Sequence, residues 1–203
     1  GFSTPDFMRL TEASDPEAVE QALGMPLIVK PVSEGSSIGM AKVDRLDGLM
    51  DAWAGAAGSD GEVFVEQWIE GEEYTVAIID GQALPAIRLE TPHIFYDYSA
   101  KYESNNTSYY CPCGLSPVEE GALQKLALAA FHVLDASGWG RVDFMRDASG
   151  KFWLIELNTV PGMTGHSLVP KAAAAAGIDF PSLAWKILAT SFHEVRSHGA
   201  AAA

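Results

Sequence analysis

Four polar residues at strand spacing in the carboxyl half of the chain have side chains suited to metal and phosphate chemistry. Arg141 and Asp143 alternate with other residues in one segment, and Glu156 and Asn158 do so in the next. Successive side chains of a strand point to opposite faces, so each pair shares one face. A hairpin closed by residues 147–150, Asp-Ala-Ser-Gly, would bring both pairs onto a single solvent-open face.

The chemistry of this face favours a hard cation. Mg²⁺ takes oxygen ligands and prefers one or two carboxylates together with substrate phosphates, which the carboxylates of Asp143 and Glu156 and the carbonyl of Asn158 would suit. Arg141 beside them could neutralise charge that develops on a reacting oxygen. The alternative is a strand pair with a solvated polar face. The small, turn-rich segment 160–167 that follows favours a working site, since its backbone N–H groups can approach a ligand closely.

The elements that must position these residues follow from hydrophobic periodicity and turn signals. Strands are predicted over residues 7–10, 27–31, 40–43, 63–69 and 74–79, in addition to the central hairpin. Helices are predicted from Pro16 to a stop at Gly24, around residues 46–53, from a capping box at Ser116, and over 168–176 and 181–195. Residues 91–115 have no clear period and predict a lid or binding loop.

Two side-chain orientations also follow from these patterns. Strict alternation places Leu154 on the same face as Glu156 and Asn158. In the last helix, helical spacing predicts inward-facing side chains at Leu183, Ile187, Leu188 and Phe192.

Composition and net charge limit the classes of protein to which the chain can belong. The chain has 203 residues, 48% of them hydrophobic, which is enough for one or two globular units, and a formal net charge of −14. That charge argues against non-specific binding to nucleic acid or anionic membranes. Apolar runs are too short to cross a bilayer, and the two cysteines, in Cys-Pro-Cys, match no redox or zinc motif. We expect the protein to be cytoplasmic and its thiols to be reduced. We also expect the sequence to be part of a longer chain.

Few cations are placed to meet an anionic ligand in so acidic a chain. The candidates are Lys30, Lys101 and Arg141, each in or beside an apolar or glycine-rich segment. Residues 33–39, Ser-Glu-Gly-Ser-Ser-Ile-Gly, follow Lys30 and lack both the P-loop ending and the three spaced glycines of the dinucleotide fingerprint. Their amides and hydroxyls could cover phosphates, or the segment could be a plain surface turn.

Six motifs in order resemble the ATP-grasp superfamily and, within it, the D-alanine:D-alanine ligase family. They are Val-Lys-Pro with Glu-Gly-Ser-Ser-Ile-Gly-Met (29–40), Glu-Gln-Trp-Ile with Gly-Glu-Glu-Tyr-Thr-Val (66–76), Phe-Tyr-Asp-Tyr-Ser-Ala-Lys-Tyr (95–102), Gly-Trp-Gly-Arg-Val-Asp (138–143), Glu-Leu-Asn-Thr (156–159), and Pro-Gly-Met-Thr continuing to Ser-Leu-Val-Pro (161–170). Each motif is weak alone, but the ordered set covers nearly the whole chain.

The resemblance implies an α+β fold of the ATP-grasp type, in which two lobes containing antiparallel sheets and helices hold ATP between them. Residues 1–75 would form the central, smaller lobe and residues 76–203 the carboxy-terminal, larger lobe. Family members carry a preceding amino-terminal domain that helps to hold the first D-alanine, and this domain is absent from the chain. A homodimer is expected for the full-length protein.

The resemblance also implies roles for individual residues. ATP would be contacted by Lys30, Ser36, Ser37, Glu66, Gln67, Trp68, Ile69, Glu73, Phe95 and Lys101. Two Mg²⁺ or Mn²⁺ ions would be held by Asp143, Glu156 and Asn158, with Glu156 bridging them. The D-alanine substrates would be surrounded by Arg141, the Gly162 amide, Ser167 and Leu168, while Tyr102 would belong to the closing lid.

The implied reaction is ligation of two D-alanines to D-alanyl-D-alanine through an acylphosphate, for peptidoglycan precursors of the cell wall. Arg141 and the Gly162 amide would stabilise the tetrahedral oxyanion, and the loop around Lys101 and Tyr102 would exclude water. Two alternatives stay open: a related ligase that uses D-lactate or D-serine as second substrate, and a nucleotide-binding module without turnover. A structural domain that binds no ATP is the remaining alternative.

Overall fold

Two compact units make up the chain in this computed structural model, which describes residues 1–35, 37–58, 61–91 and 107–199. The four-stranded unit consists of Thr4–Glu70 together with Thr91–Ser108. The six-stranded unit consists of Gly1–Ser3, Gly71–Glu90 and Tyr109–Ala203. The assignment of residues 1–75 and 76–203 to two lobes of the ATP-grasp fold stays a prediction.

The four-stranded unit packs two helices on one face of an antiparallel sheet. Its elements are β1 (Phe7–Leu10), α1 (Pro16–Leu23), β2 (Leu27–Pro31), β3 (Ala41–Val43), a 3₁₀ turn (Leu46–Gly48), α2 (Leu49–Ala56) and β4 (Val63–Gln67). The strand order is β1-β4-β2-β3. Side chains from alternate strand positions and from both helices form its core, among them Leu10, Val19, Leu27, Leu49 and Val65. The intervening positions of β2 and β4 place Lys30 and Glu66 on the opposite face.

The six-stranded unit contains the longer strands. Its elements are β5 (Gly71–Ile79), β6 (Gln82–Ala83), β7 (Ile87–Glu90), β8 (Ser108–Tyr110), α3 (Pro117–Val133), β9 (Trp139–Asp147), β10 (Phe152–Asn158), α4 (Leu168–Ala175) and α5 (Phe180–Gly199). The strand order is β10-β9-β5-β7-β8, with β6 paired to β5. The pairings of β5 with β6, β7 and β9, and of β9 with β10, are antiparallel.

Helices cover both faces of this sheet, and the division follows the strand alternation. One face packs on α3 through a core that includes Tyr74, Val76, Phe131, Val142 and Phe144. The opposite face of β5 contacts α4 and α5. Residues of odd number on β5 and β9 therefore point away from α3, and this is the face on which the candidate site is built.

Most predicted elements are confirmed. The amino end of α3 is a complete capping box, because the Ser116 side chain accepts from the Glu119 amide at 3.3 Å and the Ser116 amide donates to the Glu119 carboxylate at 3.0 Å. The boundaries around residue 70 were wrong: β4 ends at Gln67, and β5 begins at Gly71 instead of Tyr74. Its early start follows from pairing with β9, in which Gly71 lies opposite Asp147. The predicted 91–115 loop contains β8, and residues 92–106 lie outside the described part.

The prediction for the last helix was partly wrong. Leu183 is fully buried and Ile187 is partly buried, but Leu188 is 46% exposed and Phe192 is 61% exposed. The buried face of α5 continues instead to Thr190, which is 6% exposed. Apolar residues lie on two sides of this helix, so periodicity alone could not select the packed one. Of the helices in the described residues, none has both the length and the apolar character needed to cross a bilayer.

Candidate active site

The central hairpin brings four predicted site residues together. Strand β9 pairs antiparallel with β10 so that Asp143 lies opposite Glu156 and Arg141 lies opposite Asn158. Residues directly opposite each other in a sheet point to the same face. The predicted convergence of the two pairs on one face of the hairpin is therefore confirmed, but the prediction that this face is open to solvent is wrong for Arg141 and Asp143, whose side chains are 11% and 10% exposed.

A β-bulge within the hairpin corrects the prediction for Leu154. The register shifts between Leu154 and Glu156, so Leu154 lies opposite Phe144 while Glu156 lies opposite Asp143. The extra residue, Ile155, interrupts the alternation that the sequence reasoning assumed. Leu154 consequently packs on the core cluster of the α3 face, and only Glu156 and Asn158 share the polar face.

Asp143 is the centre of the polar face and is only 7% exposed. Its Oδ1 accepts from Arg141 Nε at 2.9 Å, and its Oδ2 accepts from Arg141 Nη2 at 2.7 Å and from Asn158 Nδ2 at 3.1 Å. The two contacts with Arg141 form a two-pronged guanidinium–carboxylate pair, the geometry in which such contacts are strongest. A carboxylate this deeply buried is stable in the charged form only with partners of this kind.

Thr75 completes this arrangement, and sequence reasoning assigned it no role. It lies on β5 directly opposite Asp143 and is 2% exposed. Its hydroxyl oxygen is 2.6 Å from Asp143 Oδ1. The signal was available in the alternation of β5, because Thr75 lies two residues after Glu73 and therefore on the same face.

Glu156 and Asn158 complete a set of oxygen donors. Asn158 Nδ2 donates to Glu156 Oε1 at 3.1 Å and also to Asp143, so one amide group touches both carboxylates. Arg141 Nη2 lies 4.0 Å from Glu156 Oε1, and the Glu156 side chain is 52% exposed. Two carboxylates and an amide within contact of one another fit a hard cation such as Mg²⁺. Within the described residues no three His, Cys, Asp or Glu side chains are grouped for a metal.

The loop before α4 holds two further predicted residues in contact. Ser167 Oγ accepts from the Thr164 amide at 2.9 Å and lies 3.0 Å from Thr164 Oγ1. A β-carbon built on Gly162 would lie 2.9 Å from Ser167 Oγ, so a larger residue there would displace the Ser167 side chain. Ser167 is the residue that precedes α4, whose first residue, Leu168, is 4% exposed. The loop is thus tightly folded, with Gly162 and Ser167 close together.

Lys171 connects this loop to α4. Its Nζ donates to the His166 carbonyl at 2.8 Å and lies 4.7 Å from the centre of the Tyr109 ring. Burial lowers the pKa of the Lys171 ammonium, because the charged form is less well solvated there. This lysine was not among the predicted site residues.

In the four-stranded unit, Lys30 and Glu66 form an ion pair. Their side chains are 13% and 10% exposed, and the Lys30 ammonium lies 5.8 Å from the centre of the Phe64 ring. Gln67 is turned elsewhere: its Nε2 donates to the Leu23 carbonyl at 2.9 Å. Two of the residues predicted to contact ATP in this unit, Lys30 and Glu66, are therefore in contact with each other.

The remaining predicted ATP contacts are distributed over three segments. Trp68 and Ile69 are half-buried after β4, and the Trp68 amide donates to the Pro26 carbonyl at 3.1 Å. Ser37 has a backbone φ of 61°, in the left-handed region, and is half-buried. Glu73 is half-buried on β5, on the face shared with Thr75. Ser36, Phe95, Lys101 and Tyr102 lie outside the described residues.

Comparisons with known proteins agree on one family. Residues 1–189 match the family model for the D-ala D-ala ligase C-terminus. The chain is 56% identical to a D-alanine–D-alanine ligase of Methylococcus capsulatus over 192 residues, which cover 95% of this chain and 62% of the relative.

Solved structures agree with this match. A D-alanine–D-alanine ligase from Bacillus anthracis superposes with a TM-score of 0.84 at 38% identity, over 98% of this chain and 65% of the other. The complex of that ligase with ATP superposes with a TM-score of 0.81 at 36% identity, over 98% of this chain and 64% of the other. The VanG D-Ala:D-Ser ligase from Enterococcus faecalis superposes with a TM-score of 0.82 at 30% identity, over 94% of this chain and 57% of the other. The predicted α+β fold of the ATP-grasp type is confirmed. The chain spans about three fifths of the length of these relatives.

Proposed function

The chain belongs to the family of D-alanine–D-alanine ligase C-terminal regions, and we propose on that basis that it is the catalytic portion of an ATP-dependent D-alanine:D-alanine ligase. The observation that carries the proposal is the Asp143 cluster, in which Arg141, Asn158 and Glu156 meet on one face of the hairpin. A purely structural hairpin has no need to bury a carboxylate within such a set of charged and polar side chains.

The proposed reaction joins two D-alanines at the expense of ATP. The carboxylate of the first D-alanine attacks the γ-phosphorus of ATP, forming an acylphosphate and releasing ADP. The amine of the second D-alanine then attacks the acyl carbon, loses a proton, and displaces inorganic phosphate to leave D-alanyl-D-alanine. Catalysis of such transfers rests mainly on positioning and on electrostatic stabilisation of the phosphoryl oxygens.

Asp143, Glu156 and Asn158 are the residues that would hold the metal ions. Two bound Mg²⁺ or Mn²⁺ ions would offset charge on the phosphate oxygens during the transfer. As a metal ligand Asn158 would present its carbonyl oxygen, whereas its amide nitrogen now faces both carboxylates. The half-exposed Glu156 is the more accessible of the two carboxylates and is proposed as the bridging ligand.

Contacts with the nucleotide are proposed for each unit. In the four-stranded unit, Lys30 and the loop with Ser36 and Ser37 would contact phosphates, while Glu66, Gln67, Trp68 and Ile69 would border the adenine. Gln67 would do so through its backbone, because its side chain is bonded to the Leu23 carbonyl. In the six-stranded unit, Glu73 would take the ribose hydroxyls. Phe95 and Lys101 are proposed from the family resemblance alone.

The substrate contacts are proposed on the six-stranded unit. Arg141 and the Gly162 amide would stabilise the oxyanion that forms when the amine attacks, as preorganised donors do in acyl transfer. Ser167 and Leu168 would border the D-alanines at the start of α4. Tyr102, from the family resemblance, would belong to a loop that closes over the acylphosphate and excludes water.

The direct test is phosphate release and dipeptide formation with Mg-ATP, with and without D-alanine. We expect the chain to bind Mg-ATP, and we expect D-alanine-dependent phosphate release with D-alanyl-D-alanine as product when the protein is made at the full length of its relatives, of which this chain spans about three fifths. Absence of the dipeptide from that longer protein, under conditions where the Methylococcus capsulatus relative makes it, would refute the proposed activity. Binding without phosphate release by both forms would instead favour the nucleotide-binding module.

A D-alanine:D-serine ligase is the second candidate, because the chain is 30% identical to the VanG ligase over 94% of its length. The D-lactate ligases stay with it as an untested alternative. Competition between D-alanine, D-serine and D-lactate for the second position, with the products separated by mass, distinguishes these activities. We further propose a cytoplasmic role in peptidoglycan precursor synthesis and a homodimer for the longer protein, without nucleic-acid or membrane partners.

A further inference from the structure

Thr75 lies beneath the Asp143 carboxylate in the middle of the six-stranded sheet. It pairs with Asp143 on one side and with Ile87 on the other, and it is 2% exposed. Its Oγ1 is 2.6 Å from Asp143 Oδ1 and 3.5 Å from the Val142 carbonyl oxygen. A hydroxyl has a single proton to donate, and the ionised carboxylate is the closer and stronger acceptor. The Thr75 hydroxyl therefore donates to Asp143.

Thr75 differs from the other donors to Asp143 because no contact with substrate or metal is proposed for it. Arg141 and Asn158 also donate to this carboxylate, but both are proposed to contact substrate or metal. Thr75 is uncharged, almost fully buried and β-branched, so its side chain has a restricted χ1 angle. Its bond to Asp143 can therefore persist when the partners on the open face of Asp143 are rearranged by a ligand.

We propose that Thr75 is a positioning residue for the metal site, which fixes the orientation of the Asp143 carboxylate and so raises the affinity of the site for divalent cations. The inference rests on the proposed function, because it takes Asp143 to be a metal ligand. Hydrogen bonds to a ligating carboxylate orient it and typically account for about 10–100-fold in metal affinity. Of the two Asp143 oxygens, Oδ1 accepts from Thr75, while Oδ2 accepts from Arg141 and Asn158.

Three substitutions separate the hydroxyl from the shape of the side chain. Thr75→Val removes the hydroxyl and keeps the branched shape, whereas Thr75→Ser keeps the hydroxyl and removes the methyl group. Thr190→Val is the matched control, since Thr190 is also a buried threonine of the same unit, 6% exposed, and its hydroxyl donates to the Ile187 carbonyl of its own helix at 2.7 Å. Thermal unfolding of all three verifies that they are folded.

The measurement is Mn²⁺ binding followed by electron paramagnetic resonance, with the chain saturated by a non-hydrolysable ATP analogue. We expect Thr75→Val to weaken Mn²⁺ binding by about 10-fold or more, with an altered Mn²⁺ spectrum. Thr75→Ser and Thr190→Val should bind within about threefold of the unsubstituted chain, a small difference beside that range. Equal Mn²⁺ affinity in Thr75→Val and Thr190→Val would overturn the proposal, as would a loss in Thr75→Ser as large as that in Thr75→Val.

The same experiment distinguishes failure of the inference from failure of the proposed function. If the unsubstituted chain binds no Mn²⁺ with the nucleotide analogue, the metal site itself is refuted, and the role of Thr75 with it. If the unsubstituted chain binds Mn²⁺ and the longer protein makes the dipeptide, an unchanged affinity in Thr75→Val refutes only the positioning role. In the longer protein, Thr75→Val should raise the Mg²⁺ concentration for half-maximal activity with little change in the KM for D-alanine.

Discussion

The two ends of β9 carry the same pair of side-chain types, an arginine and an aspartate, in different surroundings. Near the start of the strand, Arg141 pairs with Asp143, which also accepts from Thr75 on β5 and Asn158 on β10. At its other end, Arg146 pairs with Glu119 on α3 at 2.6 Å. Asp147 there accepts hydrogen bonds from three residues of the adjoining turn and strand, Ser149, Lys151 and Trp153.

The difference lies in what each aspartate holds in place. The partners of Asp147 are close in sequence and include the backbone amides of Ser149 and Lys151, so this aspartate fixes the turn of the hairpin. The partners of Asp143 include side chains from three strands, and the bonds from these side chains are not needed to form the sheet. Hydrogen bonds to the local backbone therefore indicate a structural carboxylate, whereas side chains converging from several strands indicate a candidate site.

Matched lysine substitutions of the two arginines should reveal the difference between the two ends of β9 most clearly. Arg141→Lys keeps a positive charge beside Asp143 but loses the two-pronged contact, so we expect ligase turnover in the longer protein to fall by on the order of 10²-fold. Arg146→Lys should leave turnover unchanged and lower the free energy of unfolding only slightly, because its partner Glu119 is partly exposed. Steady-state kinetics and urea unfolding measure the two effects. Equal losses of turnover in the two variants would contradict the distinction drawn between the ends of β9.

Substitution of Gly71, which lies opposite Asp147 at the far end of β9, should give the next largest effect. A β-carbon on Gly71 would collide with the Arg146 carbonyl oxygen, so Gly71→Ala should force the strands apart and cost about 3 kcal/mol of unfolding free energy. Gly121, inside α3, has no heavy atom within 4 Å of its built β-carbon. Gly121→Ala should therefore stabilise the chain by about 0.5–1 kcal/mol. Urea unfolding of both variants tests the pair, and a stable Gly71→Ala would show that β5 and β9 adjust freely.

The smallest expected effect concerns Asp147 and pH. Hydrogen bonds from the Ser149 hydroxyl and the Trp153 indole, the largest causes, lower the Asp147 pKa from 3.8 to about 2. A carboxylate with a lowered folded-state pKa stabilises the fold above its ordinary pKa, and this contribution is lost as pH falls towards 2. The Tm difference between the unsubstituted chain and Asp147→Asn should therefore be constant above about pH 5 and shrink below pH 4.

A control accounts for the change of net charge in that experiment. Glu12→Gln removes one negative charge at an exposed position of the four-stranded unit. Its Tm difference from the unsubstituted chain should not reproduce the profile of Asp147→Asn. A Tm difference for Asp147→Asn that is the same at pH 3 and pH 7 would show that the bonds to Asp147 do not depend on its charge.

The elements and the polar face of the hairpin could be predicted because both depend on local patterns. Alternation in β9 and β10 and the capping box at Ser116 are properties of a few neighbouring residues. The pairing of Lys30 with Glu66 could not be predicted in this way, because these residues are 36 positions apart and meet only once β2 and β4 are in register. The contact of Thr75 with Asp143, across 68 positions, is of the same kind.

Side-chain direction was predicted less well wherever regular spacing fails. Leu154 was assigned to the polar face because nothing in the sequence marks Ile155 as the extra residue of a bulge. Leu188 and Phe192 were assigned to the core because α5 carries apolar residues on more than one side. Both errors concern which way a side chain points, and neither concerns which element it belongs to.

The bulge adds one residue, Ile155, to β10 that has no partner in β9. Phe144 pairs with Leu154 and Asp143 with Glu156, so removing Ile155 would leave every other partner in place and the alternation unbroken. A chain one residue shorter could therefore keep Leu154 inside and Glu156 outside. What it would lose is the local bend and added twist that a bulge gives a strand. Ile155 thus sets the angle at which Glu156 is presented, and changes in strand length at this position are a route by which relatives could re-aim that carboxylate without refolding the sheet.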